Sequence, residues 1–415
     1  MNYLQEDRIV HEMPAYEFTY LIRTPRAKRI PENFSKSTSQ KVLRFHRKLP
    51  NYRPTDLVRL RNLAQTWGIG EILVKDESTR FGLRAFKALG GSYAVARVLC
   101  QKLGVDIDGI DYDFLTSDAV KQRIGRITLA TATDGNHGRG VAWTAEQFGH
   151  DAVIFMPKGS ARSRVQNIRS HGATVTVTDL NYDDTVRLAD QTAQEKGWYL
   201  IQDTAGKGYT EIPLWIMQGY MTMFAEAVSQ MARQEIHPTH VFLQAGVGSF
   251  AAAAVGFLAN TFRDNPPRFI IMEPTNAACM LASAESRDGL PKTVTGDLDT
   301  VMAGLACGEP NPMAWDILRE FACCYMSCGD YVAANGIRML ANPLMGDYGL
   351  ESGESGAVGI GLLDLLVNSS DFRELTQELK IGPTSKVLLF NTEGATDPDN
   401  VRDILWRGKY SHRAI

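Results

Sequence analysis

One lysine stands among apolar residues in "RAFKALGG": Lys87 follows Ala85 and Phe86 and precedes Ala88 and Leu89. A lysine set into an apolar helix face is uncommon unless it is paired or reactive. Desolvation favours its neutral amine, the nucleophilic form. The plain alternative is a snorkelling side chain whose ammonium reaches water. Gly90 and Gly91 come next, at roughly 1 kcal/mol each relative to alanine inside a helix, so the backbone there comes close to something, either a ligand or a packed neighbour. Further on, "FLQAGVGSFAAAA" (Phe242 to Ala254) places Gly246 and Gly248 after an apolar run and before a helix that begins near Ser249. Such a turn aims unpaired backbone N–H groups and the positive helix end at an anion. Gly246, Val247, Gly248, Ser249 and Phe250 therefore form a candidate phosphate cradle; a tight strand-to-helix turn without a ligand is the alternative.

Read as G-x-G-x-x-A, the same stretch also fits a dinucleotide fingerprint, with Glu273 at the end of the next strand, where a ribose-binding acid belongs. A nicotinamide oxidoreductase, however, needs no such lysine. A phosphate cradle together with a nucleophilic lysine suits pyridoxal 5'-phosphate, held by its phosphate at the glycine loop and by an imine to Lys87. That cofactor also needs a group beside its pyridine nitrogen and a donor beside its ring hydroxyl. Thr392 in "FNTEGATD" and Asn136 in "TDGNHG" are the candidates.

These residues must be positioned by the elements around them. Short β-branched runs ("EILVK", "RITLAT", "DAVIFM", "TVTVTD", "YLIQD", "HVFLQA", "RFIIME", "KVLLFN") alternate with stretches of helical periodicity. This predicts an α/β fold with a doubly wound, mostly parallel sheet. In such sheets the ligand crevice lies beyond the carboxyl ends of the strands, and the candidate residues do follow the runs. We expect a large domain from residues 1–127 and 203–415 and a smaller α/β lobe, 128–202, carrying "TDGNHG" and closing over substrate. The first sixty residues, punctuated by proline and arginine, read as an irregular wrapping arm.

At 415 residues, 44% hydrophobic and 22% charged, the chain can bury a large core. Its net charge of −3 provides no basic stripe for nucleic acid, leaving a small-molecule ligand as the expected partner. No apolar run approaches a membrane span or a leader segment, so no membrane partner and a cytoplasmic location are expected. The six cysteines do not form a disulfide framework. Cys323, Cys324 and Cys328 match no zinc spacing and read as a buried strand, so no metal is expected. Cys279 and Cys307 both follow strand-like runs near the same crevice; a regulatory disulfide is one reading, and free thiols are the one favoured in a reducing compartment.

The lysine after Phe86, the "TDGNHG" loop and the glycine-rich cradle, in this order between about Glu71 and Gly394, resemble the fold-type II pyridoxal-phosphate enzymes. That group includes the threonine and serine dehydratases, serine racemase and the tryptophan synthase β chain. The chain departs from the dehydratase pattern: "RAFK" lacks the serine usual before the Phe-Lys pair, Asp134 stands where serine is usual, and "GVGSF" replaces a run of four glycines. Together with "DTAGKGYTEIPLWIMQGY" and "AGLACGEPNPMAW", these features make it similar to the ammonia-lyase branch. The resemblance implies α,β-elimination from 2,3-diaminopropionate to pyruvate and two ammonia; a serine or threonine dehydratase is the alternative within the same chemistry, and a non-catalytic amino-acid sensor on the same fold an alternative outside it. It implies Lys87 as the cofactor lysine, with Thr133, Asp134, Gly135 and His137 holding substrate. It further implies Asp134 and Asp203 as bases, Asp134 for the D form and Asp203 for the L form, and a homodimer. Read from the residues alone, Asp134 can instead cap the helix beginning near Asn136, Asp203 can belong to a simple turn, and His137 can bond a local backbone carbonyl.

Overall fold

The computed structural model describes residues 10–27 and 29–411. Its strands are β1 (Val10–Met13), β2 (Phe18–Ile22), β3 (Leu57–Arg59), β4 (Glu71–Asp76), β5 (Thr128–Ala132), β6 (Asp151–Met156), β7 (Thr174–Val177), β8 (Tyr199–Leu200), β9 (His240–Gln244), β10 (Arg268–Pro274), β11 (Ala322–Cys328) and β12 (Lys386–Asn391). Eight of them form one sheet in the order β1-β2-β11-β10-β9-β12-β4-β3, and four form a second in the order β7-β6-β5-β8. The second sheet is parallel throughout. In the large sheet the five strands from β11 to β4 are parallel, as continuous apolar runs buried on both faces require. Each sequence-predicted run is present, and "ACCYMSC" is the fully buried β11.

The edges of the large sheet differ from expectation. β1 pairs antiparallel with β2, β2 antiparallel with β11, and β3 antiparallel with β4. The described residues up to 60 are thus not an irregular arm: they supply a hairpin, an edge strand and the Lys36–His46 helix. These strands are three to five residues long, too short for a two-residue period to stand out. The helix starts where the Ser35 hydroxyl accepts the Thr38 N–H at 3.3 Å. At its far end His46, fully buried, bonds Thr222 at 2.6 Å and the Leu89 carbonyl at 3.0 Å. The segment therefore braces the helix that begins at Lys87.

That helix, Lys87–Leu103, explains the two glycines. A Cβ at Gly90 would lie 2.5 Å from the Tyr220 ring and 2.7 Å from Ile216, both on the Glu211–Ala232 helix. A Cβ on Gly219 of that helix would lie 2.4 Å from the Leu89 carbonyl oxygen. A Cβ at Gly91 would stand 3.6 Å from the Gly140 backbone of the Asn136–Phe148 helix, an ordinary contact. Close helix packing, rather than a ligand, is what Gly90 permits. The loop leading into Lys87 is fastened by a buried charge cluster. Arg80 donates to Glu77 at 2.7 Å and to Glu226 at 2.7 Å, and Lys75 donates to Glu226 at 2.8 Å. Two cations and two anions lie there with essentially no solvent contact, so the cluster is neutral as a whole and strongly geometry-dependent.

Candidate active site

The segments that follow β4, β5, β8, β9 and β12 converge on one cleft. Among its lining residues are Lys87, Asp134, Asn136, His137, Asp203, Gly246, Val247, Gly248, Ser249, Phe250 and Thr392. Thr133 and Gly135 are not among them. The Thr133 hydroxyl accepts the N–H groups of Gly135 at 2.9 Å and Gly138 at 3.0 Å, which ties off the loop. Asp134 does not cap the following helix: the N-cap is Gly135 with no side-chain bond, and Asp134 Oδ2 is buried with no hydrogen-bond partner. The carboxylate is turned into the cleft instead.

Lys87 Nζ donates to Asp203 Oδ2 at 2.5 Å. Burial alone would lower the lysine pKa, but the Asp203 carboxylate outweighs it and holds the ammonium charged. The expectation of a neutral amine is corrected accordingly: sequence could not show a counter-ion 116 positions away. Burial pushes the Asp203 carboxyl up while Lys87 pulls it further down, to about 2. Burial lifts the Asp134 carboxyl to about 6, against the opposing pull of Arg164 and Lys87. The two carboxylates thus have different proton affinities on one cleft. Burial holds the His137 pKa down, and its Nε2 bonds the Ile201 carbonyl at 2.7 Å, the local-backbone role of the two considered.

The Ser249–Thr261 helix opens on the cleft with no side-chain cap, its N-cap Gly248 at φ 89°. A Cβ at Gly246 would press on Cys307 Sγ and the Gly304 carbonyl oxygen, each 3.1 Å away. The cradle is therefore backbone only, with free N–H groups of the kind a phosphate takes. Ser249 is already engaged: its hydroxyl donates to the Asp203 carbonyl at 2.5 Å and accepts from Asn311 at 2.8 Å, joining the cradle to the Asp203 turn. Thr392 Oγ1 accepts from Gln244 Nε2 at 3.1 Å, which leaves the hydroxyl proton for an acceptor such as a ring nitrogen. Asn136 donates to Glu393 at 2.5 Å. The residue set fits pyridoxal phosphate: an anion cradle, a lysine, a hydroxyl donor and an amide border one cavity. Glu273, which a dinucleotide reading would place on a ribose, is fully buried and accepts the N–H groups of Met280 at 2.7 Å and Leu281 at 2.8 Å. It serves the start of the Cys279–Glu285 helix.

Sequence reasoning missed Tyr182, Gln244, Ser355 and Glu393, which also line the cleft. Glu393 sits inside the quoted "NTEG", but Tyr182 and Ser355 are brought in by helices far along the chain and carry no motif. All six cysteines are free and buried. Among the described residues no cluster of metal-ligating side chains occurs, and no helix is long and apolar enough to cross a membrane.

Comparison with known proteins agrees with this geometry. Residues 48–377 match the family described as pyridoxal-phosphate dependent enzyme. The chain is 49% identical over 402 residues, covering 96% of it and 100% of the relative, to the diaminopropionate ammonia-lyase of Salmonella typhimurium. The holo diaminopropionate ammonia-lyase of Escherichia coli superposes with a TM-score of 0.90 at 46% identity, covering 96% of this chain and 99% of that one. The same Escherichia coli enzyme in complex with D-serine gives a TM-score of 0.90 at 45% identity, covering 98% and 100%. With its lysine, its uncapped glycine cradle and this likeness along nearly its whole length, the chain belongs to the pyridoxal-phosphate dependent enzymes and, among them, to the diaminopropionate ammonia-lyase family.

Proposed function

We propose that the chain converts 2,3-diaminopropionate and water to pyruvate and two ammonia, accepting both enantiomers. The observation that carries this reading is the pair of carboxylates, Asp203 buried and Asp134 partly buried, on one cleft with Lys87. A substrate with a second amine brings a cation that serine and threonine lack, and an anionic, partly dry pocket favours it. Pyridoxal phosphate, when bound, delocalises the electron pair left at Cα. The chain's own groups supply the rest. The Gly246–Phe250 turn holds the phosphate, Thr392 and Asn136 serve the ring, and the Thr133–His137 loop positions the substrate carboxylate.

Asp134 takes the Cα proton from the D form and Asp203 from the L form. Asp203 is poorly basic while Lys87 is charged beside it. Once Lys87 carries no charge, the largest pull opposing burial is gone and the proton affinity of Asp203 rises. Asp134, near 6, is ionised at neutral pH and already a competent acceptor. The D-serine complex of the Escherichia coli relative supports room for a D-configured amino acid. Further parts of this reading are closure of the 128–202 lobe over the cleft to exclude water, a cytoplasmic location and assembly as a homodimer, the last checked by sedimentation.

The test is pyruvate and ammonia release from D- and L-diaminopropionate, serine and threonine by the purified holoenzyme, with borohydride labelling mapped to a peptide. Expected are two ammonia per pyruvate, preference for diaminopropionate, label on Lys87, and selective loss of D-form turnover in Asp134→Asn. Preferred turnover of serine or threonine would make it a dehydratase. Equal loss of both enantiomers in Asp134→Asn would make that residue a positioning group.

A further inference from the structure

Arg164 belongs to no motif and lies in the Arg162–Arg169 helix, after β6. Its side chain is only 6% exposed, yet it ends between two carboxylates from different parts of the fold. One guanidinium nitrogen is 3.7 Å from Asp134 Oδ2, and another is 3.7 Å from Glu354 Oε2. Glu354 is the first residue of the Glu354–Asn368 helix, which packs against the large sheet, and its other oxygen accepts from Asn400 at 2.5 Å. Asp134 Oδ2, Glu354 Oε2 and Arg164 Nε are all buried without a hydrogen-bond partner. The two unpartnered carboxylate oxygens thus face the two ends of one guanidinium at a distance slightly too long for hydrogen bonds.

Gly135 makes the arrangement possible. It has φ +156°, and a Cβ there would lie 2.9 Å from Arg164 Cδ and 3.3 Å from its Cβ and Cγ. The arginine stem therefore runs directly past the Gly135 Cα to reach the carboxylate one residue earlier. We infer that Arg164 is a positioning residue for the elimination: threaded past Gly135 and anchored by Glu354 of the Glu354–Asn368 helix, it holds the Asp134 carboxylate in place as a base.

The inference deepens the proposed role of Asp134 and rests on it. Asp134 is faced by Arg164 from its own lobe, by Lys87, Glu393 and Cys307 from the large sheet's side, and by Tyr182. Arg164 is the strongest of the charges that favour its ionised form. A carboxylate beside an arginine is held down by about 1–3 pH units, and losing that neighbour raises its pKa.

The decisive variant is Arg164→Gln, assayed as holoenzyme. The acid limb of kcat/KM for D-diaminopropionate should move up by about 1–3 units, and the D-to-L turnover ratio should fall about tenfold or more. Lysine can satisfy only one of the two carboxylates at a time, so Arg164→Lys should restore the limb more fully than the ratio. Hydrogen exchange of backbone amides 134–137 should quicken about tenfold in Arg164→Gln, a readout independent of which enantiomer Asp134 serves. An unchanged limb, ratio and loop exchange overturn the inference. Faster loop exchange combined with equal loss of both enantiomers in Asp134→Asn keeps the positioning role and sinks only the enantiomer assignment. If Arg164→Gln does not fold, Glu354→Gln decides: faster exchange of amides 134–137 with a lower D-to-L ratio supports the anchor, and parental values of both overturn it.

Discussion

Gly90→Ala separates the packing of the lysine helix from its chemistry. The added methyl would sit 2.5 Å from Tyr220 Cε1, 2.7 Å from Ile216 Cγ2 and 3.0 Å from the Ile216 carbonyl oxygen. Carbon atoms settle about 3.5–4.0 Å apart, so the Lys87–Leu103 and Glu211–Ala232 helices must separate by about 1 Å. Overpacking of this kind costs about 1–3 kcal/mol, against a gain of about 1 kcal/mol from replacing a helical glycine, leaving a net loss of about 0–2 kcal/mol. The catalytic cost is larger. The Tyr220 ring packs on Phe86 at 4.7 Å and lies 5.9 Å from Lys87 Nζ, so the displacement passes straight to the lysine. A misplacement of about 1 Å costs about a hundredfold in rate. Urea unfolding and pyruvate release on the same preparation check both halves. A variant with at least a third of parental turnover would refute the claim that these glycines set the position of Lys87.

Glu226→Gln removes one of two anions serving Lys75 and Arg80 in a fully buried cluster and should cost about 3–5 kcal/mol in denaturant unfolding; a loss below about 1 kcal/mol would mean the cluster relaxes or admits water. Asp203→Asn should flatten the acid side of the stability profile. The depressed carboxyl, near 2 in the fold against an ordinary 3.8, contributes stability above pH 3.8 that is lost as pH falls toward 2; an equally steep decline in the variant over that window would assign it to other groups. On the alkaline side, in the cofactor-free protein, Lys87, raised above 10.5, contributes stability that is complete below that value and fades as pH rises past it, and Asp203→Asn should remove this contribution as well. Gly246→Val should abolish retention of pyridoxal phosphate through dialysis, since even a Cβ there is 3.1 Å from Cys307 Sγ and the Gly304 carbonyl oxygen; full retention would place the phosphate elsewhere.

Taken alone, the amino-acid sequence determined what local chemistry can encode. Apolar runs alternating with helical periods specify strands buried on both faces, and so the parallel centre from β11 to β4. A glycine pair between strand and helix marks a candidate anion cradle, because its N–H groups belong to the backbone of one turn. The short edge strands were not legible, since three to five residues hold too few repeats to show a period. Only the tertiary structure decided which charges meet. β12 is inserted between β9 and β4, which brings Thr392 and Glu393 to the same cleft as Lys87 and the glycine turn. Asp203 reaches Lys87 across 116 positions, turning an expected neutral amine into an ion pair. Arg164 reaches Asp134 past a glycine whose purpose no local pattern reveals. The physical reason is that a side chain's charge state depends on neighbours a few ångströms away, and sheet order and helix packing, rather than spacing along the chain, choose those neighbours.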